Sequence, residues 1–534
     1  MKKVPSLILG FPDAENYKRR ENKDLFNQVF IRNRHLDRLC EPAISFLVGE
    51  KGTGKTAYAV YLANNDHNDT MGSLRYIRET DYQKFITLKQ EKHLQLSDYT
   101  SIWKVILYLL LSQHVIKREG GPEFLRRFTK MADVQRAIDE YYNSAFSPEI
   151  LQALEFVQES KIAAELLAKH AKAGVEQKDG VKFSESKFQT NLFYIQREFE
   201  NALRQARCSK SHILFIDGID IRPAAIPYPE YLECIKGLAN AVWEINNDFF
   251  PTIKGGGGRL RAVLLVRPDI FASLGLQNQN TKSRDNSVFL DWRVEYAHHR
   301  GSELFKVTDR LLAVQQDRLV PEGDAWDHYF PWDAPNVHEA FDRPSSFISF
   351  LRWSYYRPRD ILTMLALLQD LQREGIGRPD HFTFEAFDSA TFKRRYSDYL
   401  LGEIKDQLLF YYRTEEYELL LKFFEIVKGR SRFMHADYLK IYASFRRTVG
   451  KSDDELPPFL RSASALLQFL YDLNIICYVE TADGDRPYIR WCFRERSYAN
   501  ISPKVREGVE YQVFYGLFKA LNVGRNLGPG DSEV

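Results

Sequence analysis

The sequence contains few cysteines, and they lie far apart. There are five in 534 residues: Cys40, Cys208, Cys234, Cys477 and Cys492. None belongs to a C-x-x-C pair, which argues against a zinc ribbon and against a disulfide scaffold. The spacing favours reduced, mostly buried thiols, as is usual for a cytoplasmic protein.

Long apolar runs are also missing. The N-terminal run from Leu7 to Leu9 is too short for the apolar region of a signal peptide. The most apolar helix-like run, Val105 to Leu111, is far shorter than the roughly 20 residues that span a bilayer. We therefore expect a cytoplasmic protein with no membrane partner.

The chain has no strong excess of charge of either sign. It carries 74 basic and 72 acidic residues, so any contact with nucleic acid must come from a local patch. The hydrophobic fraction of 44% predicts a well-filled core, and the length predicts two to four domains. No internal repeat is visible, and the only low-complexity piece is the run Gly255 to Gly258.

A phosphate-binding loop is the clearest motif. The pattern G-x-x-x-x-G-K-[ST] is present in full as Gly49, Glu50, Lys51, Gly52, Thr53, Gly54, Lys55 and Thr56. A buried-type strand, 44–48, precedes it, and a helix-like run from Ala57 to Ala63 follows it, which is the order such a loop requires. Lys55 is expected to reach the β- and γ-phosphates and Thr56 to ligate Mg²⁺, while Ala57 lies at the helix N-terminus, whose dipole attracts phosphate. The motif predicts binding of a nucleoside triphosphate, ATP with Mg²⁺.

An acidic residue ends a second buried strand. The run 213–216 is followed by Asp217, Gly218, Ile219 and Asp220. An acid at the tip of a strand in a parallel sheet is placed to hold Mg²⁺ through water, which is the role expected of Asp217. Asp220 is the candidate for polarising the attacking water; the alternative is a helix cap or a turn residue.

Arginines follow the next strands. Arg267 ends the run 262–266, where it could sense the γ-phosphate or instead pair with Asp269 or Asp217. Arg284 precedes a short strand, 288–291, and could act on the nucleotide of a neighbouring subunit or lie in an exposed loop.

Two more arginines flank Pro358, a residue that suits the first turn of a helix. Arg357 or Arg359 could contact the nucleotide from a helical lid. The alternative is a helix N-terminus with surface arginines.

The alternation of buried strands and helices predicts an α/β fold with a parallel sheet. We expect a P-loop ATPase core over 1–300 with a helical insertion at about 80–207, a helical lid over 301–395 and a winged-helix-like domain over 396–534. Helices in the insertion are indicated at 102–111, 150–167 and 193–206, with a loop at 172–187. C-terminal helices are indicated at 397–412, 415–428, 435–445 and 460–473, before a hairpin of 475–480 and 488–493 with an Asp-Gly turn at 482–485.

This order of phosphate loop, D-G-x-D strand end, arginine-ended strand and P-R helix resembles the AAA+-related STAND and Orc/Cdc6-like ATPases. The segments Asp13 to Tyr17 and Asp291-Trp292 look more narrowly like a group of bacterial P-loop ATPases of this type. The resemblance covers about 1–372. It implies that Asp217 is the metal-binding acid, Arg267 a sensor, and Arg357 or Arg359 the lid sensor. Gly218 stands where efficient AAA+ motors carry glutamate, which predicts slow hydrolysis and a nucleotide-dependent switch.

The C-terminal region is rich in basic and aromatic side chains. The basic ones are Arg430, Arg432, His435, Lys440, Arg446, Arg447, Lys451, Arg486, Arg490, Arg494 and Arg496. They could contact phosphates of double-stranded DNA, but the acids 453–455, Asp483 and Asp485 dilute the signal, and a winged helix used for protein contacts fits as well.

Three functions remain open at this stage. The first is an ATP-dependent switch or assembly ATPase that forms a homo-oligomer or binds a partner protein. The resemblance alone suggests a role for it in bacterial antiphage defence. The second is a DNA-binding ATPase similar to replication initiators or loaders, and the third is a nucleotide-binding scaffold for an effector protein. The sequence contains no nuclease, protease or deaminase motif that we recognise.

Overall fold

The computed structural model describes residues 1–11, 13–77, 96–119, 193, 196–197, 199–335, 345–452, 455–481 and 487–524. Most of the predicted insertion lies outside these residues, including the helix at 150–167 and the loop at 172–187. The predicted Asp-Gly turn at 482–485 also lies outside them.

Nine strands are formed within the described ranges. They are β1 Phe46–Val48, β2 Thr70–Tyr76, β3 Ser211–Asp217, β4 Leu260–Val266, β5 Ser287–Phe289, β6 Arg432–Met434, β7 Ile476–Thr481, β8 Pro487–Arg490 and β9 Glu510–Val513.

The helices in the same ranges are α1 Arg20–Val29, α2 Arg34–Leu39, α3 Lys55–Asn64, α4 Leu96–Glu119, α5 Tyr228–Glu244, α6 Pro268–Ser273, α7 Gln279–Asp285, α8 Glu303–Ala313, α9 Asp324–Tyr329, α10 Ser346–Trp353, α11 Pro358–Arg373, α12 Phe384–Asp388, α13 Ala390–Tyr411, α14 Thr414–Val427, α15 His435–Val449, α16 Ala463–Asp472 and α17 Cys492–Glu495. Residues 199–204 are also helical.

The chain divides into two compact units. The first, here called the sheet unit, contains Arg32–Gly49 and Lys55–Leu290. The second, here called the helical unit, contains Met1–Ile31, Glu50–Gly54 and Asp291–Val534. The eight-residue phosphate-loop motif is thus divided between them, with its five middle residues in the helical unit. The predicted domain boundaries near 300 and 395 stay predictions.

A five-stranded parallel sheet forms the centre of the sheet unit, in the order β2-β3-β4-β1-β5. Every residue of β4 is buried, because a central parallel strand is covered by other elements on both faces. The predicted α/β class and parallel sheet are therefore confirmed. Strand β2 pairs with β3 along its whole length, from Thr70 to Tyr76.

Helices α4 and α5 pack against each other in the sheet unit. Within α4, the predicted run 102–111 is helical and buried almost throughout, apart from a half-buried lysine. The indole Nε1 of Trp103 donates to the carbonyl oxygen of Cys234 at 3.2 Å, which joins the two helices.

The helical unit contains a second, antiparallel sheet in the order β6-β9-β7-β8. The two strands of the predicted hairpin, β7 and β8, do pair. The expectation that the second strand runs to 493 is wrong, because β8 ends at Arg490 and α17 begins at Cys492. The helix expected at 397–412 begins earlier, because Ser389 caps α13 by accepting from the backbone N–H of Phe392.

Among the described residues, no helix combines the length and the apolar character that crossing a bilayer requires.

Candidate functional site

In the sheet unit, the phosphate-loop motif begins and ends next to the sheet. The backbone N–H of Gly49 donates to the carbonyl oxygen of Val266 at 3.1 Å, which fixes the end of β1 beside the end of β4. Lys55 is the first residue of α3 and is buried, and its Nζ donates to the carbonyl oxygen of Gly49 at 2.8 Å. The Lys55 ammonium group therefore contacts Gly49, the first residue of the phosphate-loop motif.

The structure brings Thr56 and Asp217 together, as the motif reading requires. The Thr56 hydroxyl donates to Oδ2 of Asp217 at 2.7 Å, although the two residues are 161 positions apart. The backbone N–H of Gly218 donates to the other carboxylate oxygen at 2.8 Å. The Thr56 hydroxyl at the start of α3 and the Asp217 carboxylate at the carboxyl end of β3 are oxygen ligands of the kind that Mg²⁺ prefers.

Burial is the main influence on the Asp217 carboxyl group. It raises the pKa of Asp217, and the nearby charge of Asp220 adds to the rise. The hydrogen bond from Thr56, the charge of Lys55 and the backbone N–H of Gly218 act in the opposite direction. A divalent cation here would offset the cost of a buried carboxylate, so these residues fit Mg²⁺.

Gly218 has a conformational reason to be glycine. Its φ is +90°, and a Cβ atom placed there would lie 2.6 Å from the carbonyl oxygen of Ile77. A glutamate after Asp217, as in efficient motors of the resembling family, would meet both the strained backbone and this contact. The local backbone thus requires glycine at this position.

Arg267 lies at the end of β4, between the strands that carry the loop and the acid. Its guanidinium binds Asp269 through two hydrogen bonds, Nε to Oδ1 at 3.0 Å and Nη2 to Oδ2 at 2.5 Å. Only 2% of Arg267 is exposed. The alternative pairing with Asp269 is therefore the one that the structure has, and a sensor role stays a prediction that requires this pair to open.

Arg284 lies on the short helix α7 instead of in a loop. Its Nε is 2.8 Å from Oδ1 of Asp285, and 68% of its side chain is exposed. Its carbonyl oxygen accepts a hydrogen bond from Arg38. Its predicted action on a neighbouring subunit stays a prediction.

The middle of the motif, Glu50–Gly54, is here called the loop tip and belongs to the helical unit. Gly52 and Gly54 have φ values of +87° and +92°, which favour glycine. The Thr53 hydroxyl donates to the carbonyl oxygen of Glu50 at 2.8 Å, and Nε1 of Trp292 donates to the carbonyl oxygen of Thr53 at 2.9 Å.

Both predicted lid arginines contact the loop tip. Nη1 of Arg357 donates to the carbonyl oxygen of Lys51 at 3.0 Å, and the same guanidinium pairs with buried Asp360 at 2.7 Å. The backbone N–H of Arg359 donates to the carbonyl oxygen of Gly52 at 3.3 Å. A Cβ at Gly52 would lie 3.0 Å from Cβ of Arg359, so the small residue permits this close approach. The alternative of plain surface arginines does not describe Arg357, which is buried.

Two acids of α13 complete a charged cluster at the loop tip. Nζ of Lys51 lies 3.2 Å from Glu403 and 2.6 Å from Asp406. Glu403 also lies 3.6 Å from Nη1 of Arg359 and 4.0 Å from Nη1 of Arg357. Burial opposes ionisation of Glu403, but the charges of these three cations outweigh it, so its pKa lies below the ordinary value of 4.5.

The first side chain of the loop tip is also held. Glu50 forms an ion pair with Arg496, which is buried just after α17. Nη2 of Arg496 also donates to Sγ of Cys492 at 3.2 Å. The loop tip is thus bound by residues from four separate parts of the C-terminal half of the chain.

The sequence indicated most of the residues that the structure groups. Lys55, Thr56, Asp217 and Asp220 come together in the sheet unit, and the loop tip meets Arg357 and Arg359 in the helical unit. The contacts that sequence analysis missed are Trp292, Glu403, Asp406 and Arg496. Trp292 stands in a quoted motif, and the two acids are three positions apart on one helix, but nothing in the pattern connected them to the loop.

Comparison of the sequence with protein-family models and with curated proteins found no match, and comparison of the fold with solved structures found none.

Proposed function

We propose that this protein is a slowly hydrolysing, ATP-dependent switch of the P-loop type. The observation that carries the proposal is the binding of the loop tip by charged residues of the C-terminal half. A loop that holds phosphates and is also bound by Arg357, Arg359, Glu403 and Arg496 can link the presence of nucleotide to the arrangement of those residues.

The residues that would hold Mg²⁺ and ATP are those of the motif. Thr56 and Asp217 would hold Mg²⁺ through their oxygens, and Lys55 would leave the Gly49 carbonyl to bind the β- and γ-phosphates. Backbone N–H groups from Gly52 to Ala57 would donate to phosphate oxygens. Bound Mg²⁺ would neutralise phosphate charge and orient the triphosphate.

Slow turnover follows from what surrounds Asp217. Gly218 cannot be exchanged for a glutamate without strain, so the general base of fast motors has no place next to Asp217. Asp220 is close enough to raise the pKa of Asp217 and is the remaining candidate for orienting water. Slow hydrolysis suits a switch because the ATP-bound arrangement must persist long enough to act on a partner.

Arg359 is the side chain best suited to report the γ-phosphate. Its backbone N–H donates to the carbonyl oxygen of Gly52, and its guanidinium Nη1 is 3.6 Å from Glu403, whereas the Arg357 guanidinium is held by hydrogen bonds to buried Asp360. We propose that Arg359 exchanges the Glu403 carboxylate for the γ-phosphate. The release of Glu403 would then pass the signal to α13. A terminal phosphate is absent from ADP, so ADP would leave the Glu403 contact in place.

Hydrogen–deuterium exchange with ATP, with ADP and without nucleotide tests the proposal. With ATP and Mg²⁺, peptides of α13 and of 490–497 should change in exchange, whereas ADP should leave α13 unchanged. Lys55→Ala should remove the ATP effect, and a parallel binding titration shows whether nucleotide is bound at all. ATP binding with no change in either peptide would refute the switch, and no ATP binding would refute the site.

DNA binding is not included in the proposal. Several of the basic side chains that suggested it make intramolecular contacts instead. Arg490 pairs with Glu480 and Glu495, Arg494 contacts Tyr296 and Tyr356, and Arg496 pairs with Glu50. The DNA-binding alternative, the oligomer and the partner protein stay predictions, as does the defence role. Mass photometry with ATP, ADP and duplex DNA would test the first three.

A further inference from the structure

A second group of metal-ligating side chains lies in the sheet unit, at the opposite end of β3 from Asp217. Ligand atoms of Glu119, Cys208 and His212 lie within 4.8 Å of one another. His212 is the second residue of β3, five positions before Asp217, so the two side chains are about 16 Å apart along the strand. This cluster is therefore separate from the candidate Mg²⁺ ligands.

The cluster is buried and already ordered by hydrogen bonds. Nε2 of His212 lies 2.6 Å from Oε1 of Glu119, and Nδ1 of His212 lies 3.2 Å from Nε2 of His114. Neither His212 nor Cys208 is exposed by more than 4%. The Glu119 carboxylate also accepts from the backbone N–H groups of Ser209 and Lys210, at 2.7 Å and 3.1 Å. The geometry holds the imidazole between a carboxylate on one side and a second imidazole on the other.

We propose that Glu119, Cys208 and His212 bind one Zn²⁺ ion, with His114 as the positioning residue of His212. Sulfur, imidazole nitrogen and carboxylate oxygen form a ligand set that suits Zn²⁺ and not Mg²⁺. A zinc ligand usually has its second ring nitrogen bonded to another group, and His114 provides that bond. Three protein ligands leave a fourth position, which water can fill.

Binding would require small movements and the loss of a proton. Ligand atoms around tetrahedral zinc are roughly 3.5 Å apart. The His212 nitrogen and the Glu119 oxygen, now 2.6 Å apart, must therefore separate by about 1 Å, and the Cys208 sulfur, within 4.8 Å of both, must move by no more than about 1 Å. Zn²⁺ would bind Nε2 of a neutral His212 imidazole whose one proton lies on Nδ1 and is donated to His114, and the proton of the Cys208 thiol would leave to solvent. Burial and the Glu119 charge raise the pKa of that thiol to about 12, so the thiol is protonated until metal binds.

The site would have a structural purpose. Glu119 is the last residue of α4, and Cys208 stands just before β3, so the ion would join two points separated by about 90 residues of chain. Closing a long loop removes conformations from the unfolded chain, which stabilises the folded state. A zinc ion here would hold the end of α4 at the start of β3.

Metal titration of the full chain tests this proposal. The chain is stripped with a chelator under reducing conditions, and Zn²⁺ and then Co²⁺ are added, with metal content measured by mass spectrometry and Co²⁺ spectra recorded. We expect one bound ion per chain and the charge-transfer absorption of a cobalt–thiolate bond. Cys208→Ser should remove that absorption and weaken Zn²⁺ binding at least about 100-fold.

The controls separate the site from other cysteines and from misfolding. Cys234→Ser changes a buried cysteine of the same unit and should leave the spectrum unaltered. Glu119→Gln keeps side-chain size and should weaken Zn²⁺ binding at least about 10-fold while the thiolate absorption persists. Wild-type protein without a thiolate band, or a band that survives Cys208→Ser, would overturn the proposal. Mg²⁺–ATP should not displace the ion, so this outcome is independent of the nucleotide proposal.

Discussion

Glu403→Gln is the sharpest test of how the loop tip is controlled. The substitution keeps the size of the side chain and removes the charge that lies 3.2 to 4.0 Å from Lys51, Arg359 and Arg357. Lys51 retains Asp406 and Arg357 retains Asp360, and the ion pair that the prediction concerns is the one between Glu403 and Arg359. If Arg359 must leave Glu403 to reach the γ-phosphate, the variant should bind ATP more tightly than the wild type.

The size of this effect follows from burial. The Arg359 and Glu403 side chains are 22% and 14% exposed, which places the pair between exposed pairs, worth up to about 1 kcal/mol, and buried pairs, whose disruption costs about 3–5 kcal/mol. A contribution of about 1.5 kcal/mol corresponds to a roughly tenfold gain in ATP affinity. ADP affinity should change little, because the competing γ-phosphate is missing.

Fluorescence titration with labelled ATP and ADP measures this difference. Glu418→Gln is the matched control, since it makes the same change at an exposed position on the neighbouring helix α14. Equal or weaker ATP binding by Glu403→Gln, with the control unaltered, would show that Glu403 does not compete with phosphate for Arg359.

Three further predictions concern Glu403, Gly218 and Thr56. The pKa of Glu403 lies below its ordinary value, so its ionised form stabilises the fold above pH 4.5, and that contribution is lost as pH falls through the lowered pKa. The difference in melting temperature between wild type and Glu403→Gln should therefore be constant near neutral pH and shrink below about pH 4.5. A constant difference at all pH values would contradict the assignment. Gly218→Glu should destabilise the protein by about 2 kcal/mol or more and give no faster ATP turnover, because φ at Gly218 is +90° and a Cβ would lie 2.6 Å from the Ile77 oxygen. An unchanged melting temperature together with faster hydrolysis would refute this prediction. Thr56→Val removes the hydroxyl that donates to Asp217 and should abolish the gain in ATP affinity that Mg²⁺ provides. ATP titrations with Mg²⁺ and with a chelator measure this gain. A variant that keeps the full gain would exclude the hydroxyl as a Mg²⁺ ligand.

Local sequence patterns predicted the strands and helices well where a segment is buried on one face or on all sides. The runs at β3 and β4 consist of aliphatic and aromatic residues next to an acid and an arginine, so their burial and their ends could be read directly. The neighbours of each strand could not be predicted. A fully buried strand carries no alternation that marks its partners, and only packing gives the order β2-β3-β4-β1-β5.

The side-chain contacts in the folded protein distinguish between alternatives that the sequence left open. Arg267 could have met Asp269 or Asp217, and the geometry of the first turn of α6 favours Asp269. Trp292 was quoted as part of a motif, but its bond to Thr53 depends on how the helical unit folds. Such choices depend on distances that no sequence pattern contains.

The sequence by itself determined the phosphate-loop motif and the acid that would share its metal, because their chemistry depends on residue types at short, fixed spacing. The tertiary structure alone decided what binds the loop tip. Asp406 is 355 positions from Lys51, and Arg496 is 446 positions from Glu50. Charges so far apart in the chain become neighbours only through packing, which is why the link between the loop and the C-terminal half became visible only in the folded protein.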